Sequence, residues 1–337
     1  MQHSHPQPFL AIPPTSPMLP KRRTGAYLLM LLTMLGLLAL IFWQEWRVER
    51  AELASAAETA ATLQVDHIAH HFEIATSDLL VLAQARTLGQ YVNGGSENAR
   101  LHLGELFAQI QSVHAVYDQI RLLDATGMEV VRVNLHNGRP LMVADADLQN
   151  KADRYYFQAA AALDPGDIFV SPLDLNIEHG EIERPFKPMI RLATPVFDNN
   201  GALAGVLVLN YLAAALLDGN MANLSGSDAH QLMLLNSDGY WLRHPDPEMA
   251  WGFMLEERAG QRFDTRYPEA WEAIHTEGIF QTTNSDGYFF VRTVEPLHSG
   301  QLSTTGIDNT AELTDGSTYR WHIIAHIPAA VLRQRQL

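Results

Sequence analysis

The chain has 337 residues, 38 acidic against 23 basic side chains, a formal net charge of −15 and no cysteine. That balance argues against nucleic acid or an anionic lipid face as the partner of its polar part, and the missing thiols exclude a disulfide framework and a thiolate metal site. Cysteine-free composition suits a bacterial periplasm, and the length allows one large or two ordinary folded domains.

Residues 1–24 read as a disordered cytoplasmic leader, since the first twenty hold six prolines and little periodic hydrophobicity. Residues 25–43, GAYLLMLLTMLGLLALIFW, are uncharged over nineteen positions. At about 1.5 Å per residue such a helix spans most of a roughly 30 Å hydrocarbon layer, so it reads as a transmembrane helix. Lys21, Arg22 and Arg23 precede it directly and place the N-terminus in the cytoplasm, with everything after Trp43 in the periplasm of a bacterial inner membrane. A cleaved signal peptide would have a shorter apolar region and a small-residue cleavage site; this span runs instead into Gln44, Glu45, Trp46 and Arg47. Trp43 and Trp46 suit the interfacial aromatic belt.

From Gln44 to Tyr91 there is no proline, and Leu53, Ala57, Ala60, Leu63, Ile68, Phe72, Leu79 and Leu82 fall at helical spacing. The pattern predicts one long helix ended by Asn93-Gly94-Gly95, then a shorter helix near 97–111, together filling residues 44–112. Residues 118–135 show two β-rich runs joined by Asp124-Ala125-Thr126-Gly127, a hairpin signal. Leu148–Leu163 reads as an amphipathic helix. Strands follow at 167–173, 187–197 and 202–211, the last two separated by Asp198-Asn199-Asn200-Gly201.

After a helical stretch near 212–224 the pattern restarts. A strand at Gln231–Asn236 turns through Asn236-Ser237-Asp238-Gly239 into Tyr240–Arg243. A helix at Pro268–His275 and strands at 278–283, 287–294 and 318–327 follow. The expected fold class is therefore α+β, with two successive units at 113–222 and 223–327, each a hairpin, a helix and three further strands, about five antiparallel strands in all. Residues 328–337 read as the start of a helix returning to the membrane, with the natural protein expected to continue beyond Leu337.

The block LQNKADRYYFQAAAALDPGDIFVSPLDLNIEHGEIERPFKPMIRLATPVFDNNGALAGVLVLNY (148–211) resembles the membrane-distal half of the double Cache sensors, also called tandem PDC or extracytoplasmic PAS-like domains. The likeness is to the group fused to bacterial histidine kinases and diguanylate cyclases. LLNSDGYWLRHPDPEMAWGFML (234–255), with the aromatic-rich 263–290, is similar to the membrane-proximal half. The resemblance covers about 45–327, and SPLDLN with KPxIRxATPVFD is its most specific part. It implies a long helix shared by two modules, a small-molecule pocket in the distal one and signalling as a homodimer. The amino-acid-binding Cache group pairs an arginine with Trp-Tyr; here the stretch reads Arg154-Tyr155-Tyr156.

A pocket for a charged metabolite needs an opposite charge, aromatic walls and orienting hydrogen bonds. Residues 154–191 supply these. Arg154 offers a planar fork for a carboxylate, Tyr155 or Tyr156 can close over a ligand, and Ser171 and Asp174 end a strand. On a helix only one of the two tyrosines is expected to face inward. Arg132, Lys187 and Arg191 complete the candidate set. Lys187, Met189, Arg191 and Ala193 share one face of their strand, and Pro188, Ile190, Leu192 and Thr194 the other. The competing structural reading joins Arg132, Asp174, Asn176, Glu178, Glu183, Lys187 and Arg191 into a salt-bridge network that fixes a long loop. Trp241, Trp251, Phe253 and Trp271 read as core of the second module.

His67, His70 and His71 share a helical face but match no zinc motif, and no P-loop, G-x-S-x-G elbow, kinase or cyclase signature occurs. No catalytic residue, metal or cofactor is therefore expected in this chain. The expected function is the sensing portion of a transmembrane receptor, whose partners are a small metabolite (amino acid or carboxylate), the membrane and a second copy, not nucleic acid. One rival is an adaptor whose modules bind a partner protein. The other is a membrane-anchored hydrolase using Asp174 with His179 or Glu183, which lacks a nearby nucleophile.

Overall fold

The computed structural model describes residues 21–178, 180–217, 231–277, 279–298, 300–307 and 311–334. The chain divides into two units, Met1–Ala51 and Glu52–Leu337. Helices α1 (Lys21–Ala83), α2 (Arg86–Gly94) and α3 (Glu97–Val113) precede strands β1 (Tyr117–Asp124), β2 (Glu129–His136) and β3 (Arg139–Met142). Next come α4 (Tyr155–Ala161), β4 (Ile168–Val170), β5 (Asp174–Leu175), β6 (Ile177–Glu178), β7 (Glu181–Ile182), β8 (Pro188–Phe197) and β9 (Leu203–Leu212). The remainder comprises β10 (Gln231–Asn236), β11 (Trp241–Arg243), α5 (Phe263–Arg266), α6 (Pro268–Glu277), β12 (Ile279–Asn284), β13 (Gly287–Val294), β14 (Gln301–Thr304), β15 (Leu313–Asp315), β16 (Trp321–Pro328) and α7 (Ala329–Gln334).

In the first unit α1 is the one helix among the described residues long and apolar enough to cross a membrane. Its side chains from Tyr27 to Trp43 are exposed, as a lipid-facing span requires. The helix begins at Lys21, so the boundary expected at 24/25 falls inside it, while residues 1–20 of the expected leader lie outside the described residues. Arg47 lies over the Trp43 ring at 4.8 Å and Arg50 over Trp46 at 4.7 Å.

In the second unit α1 buries a stripe made of Ala57, Ala60, Ala61, Gln64, Ile68, Phe72, Ala75, Thr76, Leu79 and Leu82. The three-to-four-residue spacing is that of one helix face. Leu63, expected on that stripe, is exposed. The predicted continuous helix to Tyr91 is interrupted at Gln84-Ala85, where Ala85 is extended (φ −63°, ψ 135°). Leu82 and Leu88 explain the break. Six residues apart, they would sit about 240° round an unbroken helix, yet both are buried in the same core. Gly95 then closes α2 in the left-handed conformation, its N–H donating to the Tyr91 carbonyl at 2.8 Å. Ser96 caps α3 by accepting from the Ala99 N–H at 3.2 Å.

Two sheets carry the rest. The first contains the order β2-β1-β9-β8-β4, and the second is β11-β10-β16-β13-β12. The same order thus appears twice: second strand, first strand, last strand, fourth, third. These are the two PAS-like antiparallel sheets of about five strands. The first is widened to nine. On one edge β3 is added through Asn137-Gly138, both left-handed (φ 48° and 73°), a hairpin dipeptide in the conformation that joins two strands tightly. On the other edge β14 pairs parallel with β4 and carries β15 beside it. Residues numerically within 223–327 therefore complete the sheet of the first module. The extra strand β5 pairs with β8.

The helix expected over Leu148–Leu163 reduces to α4. Residues before it are held to the sheet instead: Glu129 N–H donates to the Gln149 carbonyl at 3.0 Å and Lys151 N–H to the Gly127 carbonyl at 2.7 Å. Gly127 has φ +82°, and a Cβ there would meet Ala152 Cα and N at 2.6 Å. Both strain and clash oppose any side chain at that turn. Gly127→Ala is expected to lower stability by about 2 kcal/mol, measured as the shift in the urea midpoint of the full chain at unchanged slope.

Candidate functional site

The first sheet separates two chemistries by strand alternation. Ile120, Leu122, Ile190, Leu192, Leu207, Leu209 and Tyr211 belong to the core shared with α1, α2 and α3, whereas Leu123, Phe169, Ala193, Val206 and Val208 belong to a second core with Tyr155, Tyr156 and Phe157 of α4. On this second face two cross-strand rows form a polar floor. Register aligns Arg191, Asn210, Gln119 and Asn134 across β8, β9, β1 and β2, and next to it Ala193, Val208, Arg121 and Arg132. Sequence-distant residues thus become neighbours.

Above this floor lies a cavity of about 480 Å³, walled by Gln149, Lys151, Arg154, Tyr156, Asn176 and Glu178. Tyr156 stands at its centre: the guanidiniums of Arg121, Arg191 and Arg154 lie 5.4, 5.6 and 6.0 Å from its ring centroid. Burial alone would raise the Tyr156 phenol, but the positive charges of Arg121, Arg191, Lys151 and Arg154 prevail and bring it below its ordinary value. Burial also holds the Lys151 ammonium below its usual value.

The charges are only partly neutralised. Glu129, fully buried, accepts from Arg121 Nη1 at 3.2 Å and Arg132 Nη1 at 2.8 Å, so two guanidiniums share one carboxylate. Arg121 Nη2 donates to Asn210 Oδ1 at 2.8 Å. Arg191 Nη1 donates to both Asp174 oxygens at 2.8 and 2.9 Å, and the Tyr155 hydroxyl reaches Asp174 at 3.4 Å. Burial raises the Asp174 carboxyl above its ordinary value, with the Arg191 guanidinium acting the other way. Among the described residues Lys151 and Arg154 form no salt bridge, and Arg121 Nε, Arg132 Nε and Asn134 Oδ1 are buried without a hydrogen-bond partner.

Of the residues singled out from sequence, Arg132, Arg154, Tyr156 and Arg191 meet at the cavity. Tyr155, Ser171 and Asp174 are buried behind it. Both adjacent tyrosines are buried, against the expectation of one: Tyr156 turns to the arginines and Tyr155 to Asp174 and Phe169, their rings 5.7 Å apart. Ser171 Oγ accepts from the Arg191 N–H at 2.9 Å. Lys187 stands apart, paired with Asp118 at 2.8 Å and Glu183 at 3.7 Å beside a neighbouring cavity. The contacts of the structural network reading run through six of its seven residues: Asp174 with Arg191, Arg191 with Asn176 at 3.3 Å, Asn176 Nδ2 with Glu178 at 3.4 Å and Glu183 at 2.8 Å, and Glu183 with Lys187, while Arg132 pairs with Glu129 instead.

Arg121, Lys151, Gln119, Asn134 and Asn210 line the cavity without having been singled out. Their signal was a charge or amide alternating into an apolar strand, as in DQIRLLD and VLVLNYL. In the second module the equivalent space is filled by rings: Trp241, Phe263 and Phe289 are fully buried, and Phe289 stacks on His326 at 4.2 Å. Trp251 joins that core, while Phe253 and Trp271 pack at its margin. His71, on α1, bonds Tyr211 through Nδ1 at 2.7 Å, and burial with His67 and His70 keeps it below its usual pKa. His179 of the hydrolase alternative lies outside the described residues, and Asp174 is engaged by Arg191.

A model of the bacterial histidine kinase sensor domain matches residues 64–304, most of the chain. The chain belongs to that family. This sensor domain is a receptor module rather than a catalytic one. Its fold is similar to a domain described as a sensory box/GGDEF family protein from Vibrio parahaemolyticus (20% identity, 83% of this chain and 99% of that one, TM-score 0.65). It is also similar to the extracellular domain of a protein named as histidine kinase vpHK1S-Z8 (21%, 84% and 96%, TM-score 0.64). A more distant likeness is to the ligand-binding domain of the Campylobacter jejuni chemoreceptor Tlp3 in complex with L-valine (12%, 85% and 96%, TM-score 0.52). At these identities the likeness is one of fold. No curated protein matches the chain.

The buried pair yields a prediction for the sensor domain. Asp174→Ala leaves Arg191 uncompensated and is expected to cost about 3–5 kcal/mol, while the double replacement Asp174→Leu with Arg191→Met recovers much of the loss. Chemical denaturation of the two variants beside the parent measures both.

Proposed function

We propose that this sensor domain is the periplasmic sensing portion of an inner-membrane receptor, that a small metabolite binds in the cationic cavity of the first module, and that binding biases the packing of α1. The observation that carries the reading is the cavity itself, roomy enough for a metabolite and lined by Arg121, Arg132, Lys151, Arg154 and Arg191. The basic residues Lys21, Arg22 and Arg23 before the apolar span support a cytoplasmic N-terminus.

A route to the membrane follows from strand alternation. Arg191 and Asn210 face the cavity, while their neighbours Ile190, Leu192 and Tyr211 face α1, meeting His71, Phe72 and Ala75 around a narrow gap. A ligand that draws β8 and β9 together from one face changes what α1 packs against on the other. It shifts the equilibrium only by its difference in affinity for the two packings. A homodimer would use the outward stripe of α1 that carries Ala56, Leu63 and Val81, because the opposite stripe is buried within its own chain.

The test is a thermal-shift screen of the full chain in detergent against amino acids, small carboxylates, polyamines and purines, repeated with Arg154→Ala. At 100 times its dissociation constant a true ligand adds about 2.7 kcal/mol of stability. The variant, half-buried and free of salt bridges, is expected to melt like the parent yet lose the ligand shift. A folded parent that responds to none of these classes would transfer the reading to an adaptor that recognises another protein.

A further inference from the structure

Resting on the reading of this cavity as the ligand site, we propose that its ligand is a small oxyanion carrying two or more negative charges and no ammonium group, that is, a dicarboxylate or a phosphate.

The argument is one of supply and demand for hydrogen-bond donors and charge. Among the described residues five basic side chains, Arg121, Arg132, Lys151, Arg154 and Arg191, surround the cavity, against three carboxylates, Glu129, Asp174 and Glu178. Glu129 is consumed between two arginines, and both Asp174 oxygens are held by Arg191. Glu178 is exposed at the rim and accepts from Asn176 at 3.4 Å. Two positive charges are therefore left over in a protein whose net charge is −15. A monocarboxylate would neutralise half of that excess; a dianion neutralises all of it, and its several oxygens suit Lys151 and Arg154, which form no salt bridge among the described residues.

An α-amino acid fits the same site poorly. Its ammonium needs acceptors, and the amide oxygens around the cavity are engaged already: Asn210 Oδ1 by Arg121 at 2.8 Å, Gln119 Oε1 by Asn210 at 3.3 Å, Asn176 Oδ1 by Arg191 at 3.3 Å and Gln149 Oε1 by Lys151 at 2.6 Å, while Asn134 Oδ1, which has no partner among the described residues, is shut off from solvent. Placed among five cations, an ammonium is repelled and stays undersolvated. The field at Tyr156, strong enough to lower a buried phenol, registers the same preference for negative charge.

The experiment is isothermal titration of the full chain in detergent with succinate, inorganic phosphate, acetate, L-serine and putrescine, repeated on Lys151→Gln and Arg154→Gln. Neither residue has a salt bridge to lose, and the melting temperature of each variant checks its fold. Succinate or phosphate is expected to bind, with affinity falling about tenfold or more in each variant and acetate binding far more weakly. Binding of succinate alone assigns a dicarboxylate, and of phosphate alone a phosphate. Binding of L-serine or putrescine with neither dianion, lost in the variants, leaves the cavity as a ligand site but overturns the dianion. Dianion binding unchanged in both variants places the anion elsewhere and overturns it as well. No binding of either dianion overturns it, and no binding of anything in the panel weighs against the ligand-site reading too.

Discussion

Arg191 and Asp174 are buried together, and much of the first module hangs on that contact. Removing both charges from water costs several kcal/mol each, so the pair persists only because its hydrogen bonds are short and its surroundings supply more. Arg191 belongs to β8, Asp174 to β5 and the supporting Tyr155 to α4, while the Arg191 N–H is taken by Ser171. One ion pair therefore fixes where the helix, the strap after β4 and the sheet meet. It also removes the buried Asp174 carboxylate from any role in holding a cation. The character of the site follows: its arginines are positioned by buried acids, and the remaining donors face inward.

Comparison of the two modules shows how one strand order serves two ends. Both sheets run second, first, last, fourth, third. In the first, polar rows cross four strands and leave space under a short helix. In the second, Trp241, Phe263, Tyr267, Phe289 and His326 pack ring against ring, with burial holding His326 below its usual pKa. Aromatic packing gives rigidity and leaves little room for a solute.

Local signals in the sequence were dependable and non-local ones were not. The turns at Asp124–Gly127, Asp198–Gly201 and Asn236–Gly239 located three hairpins, because turn chemistry and alternation act over a few residues. Asn137-Gly138 carried an equally local signal for β3 that was overlooked. By contrast β14 is short and finds its partner β4 far back in the chain, carrying β15 with it, which no periodicity reveals. The stretch before α4 has helical periodicity, yet backbone bonds from Glu129 and Lys151 overrule it. In the site, Arg154, Tyr156 and Arg191 were legible as charged and aromatic residues close in sequence. Arg121 and Asn210 were not, since their proximity exists only after β1 and β9 are in register.

The parallel pairing of β14 with β4 bears on how the chain comes into being. Synthesis proceeds from the N-terminus, so β4 is made long before residues 301–304 that cover its outer edge. Until then that edge presents unpaired N–H and carbonyl groups, a template that a second nascent chain could seize. The ribbon from β14 to β15 acts as a late closing seam. Ser303 Oγ, donating to the Val170 carbonyl at 2.6 Å, is one of the stitches that finishes the early half of the molecule with material from the late half.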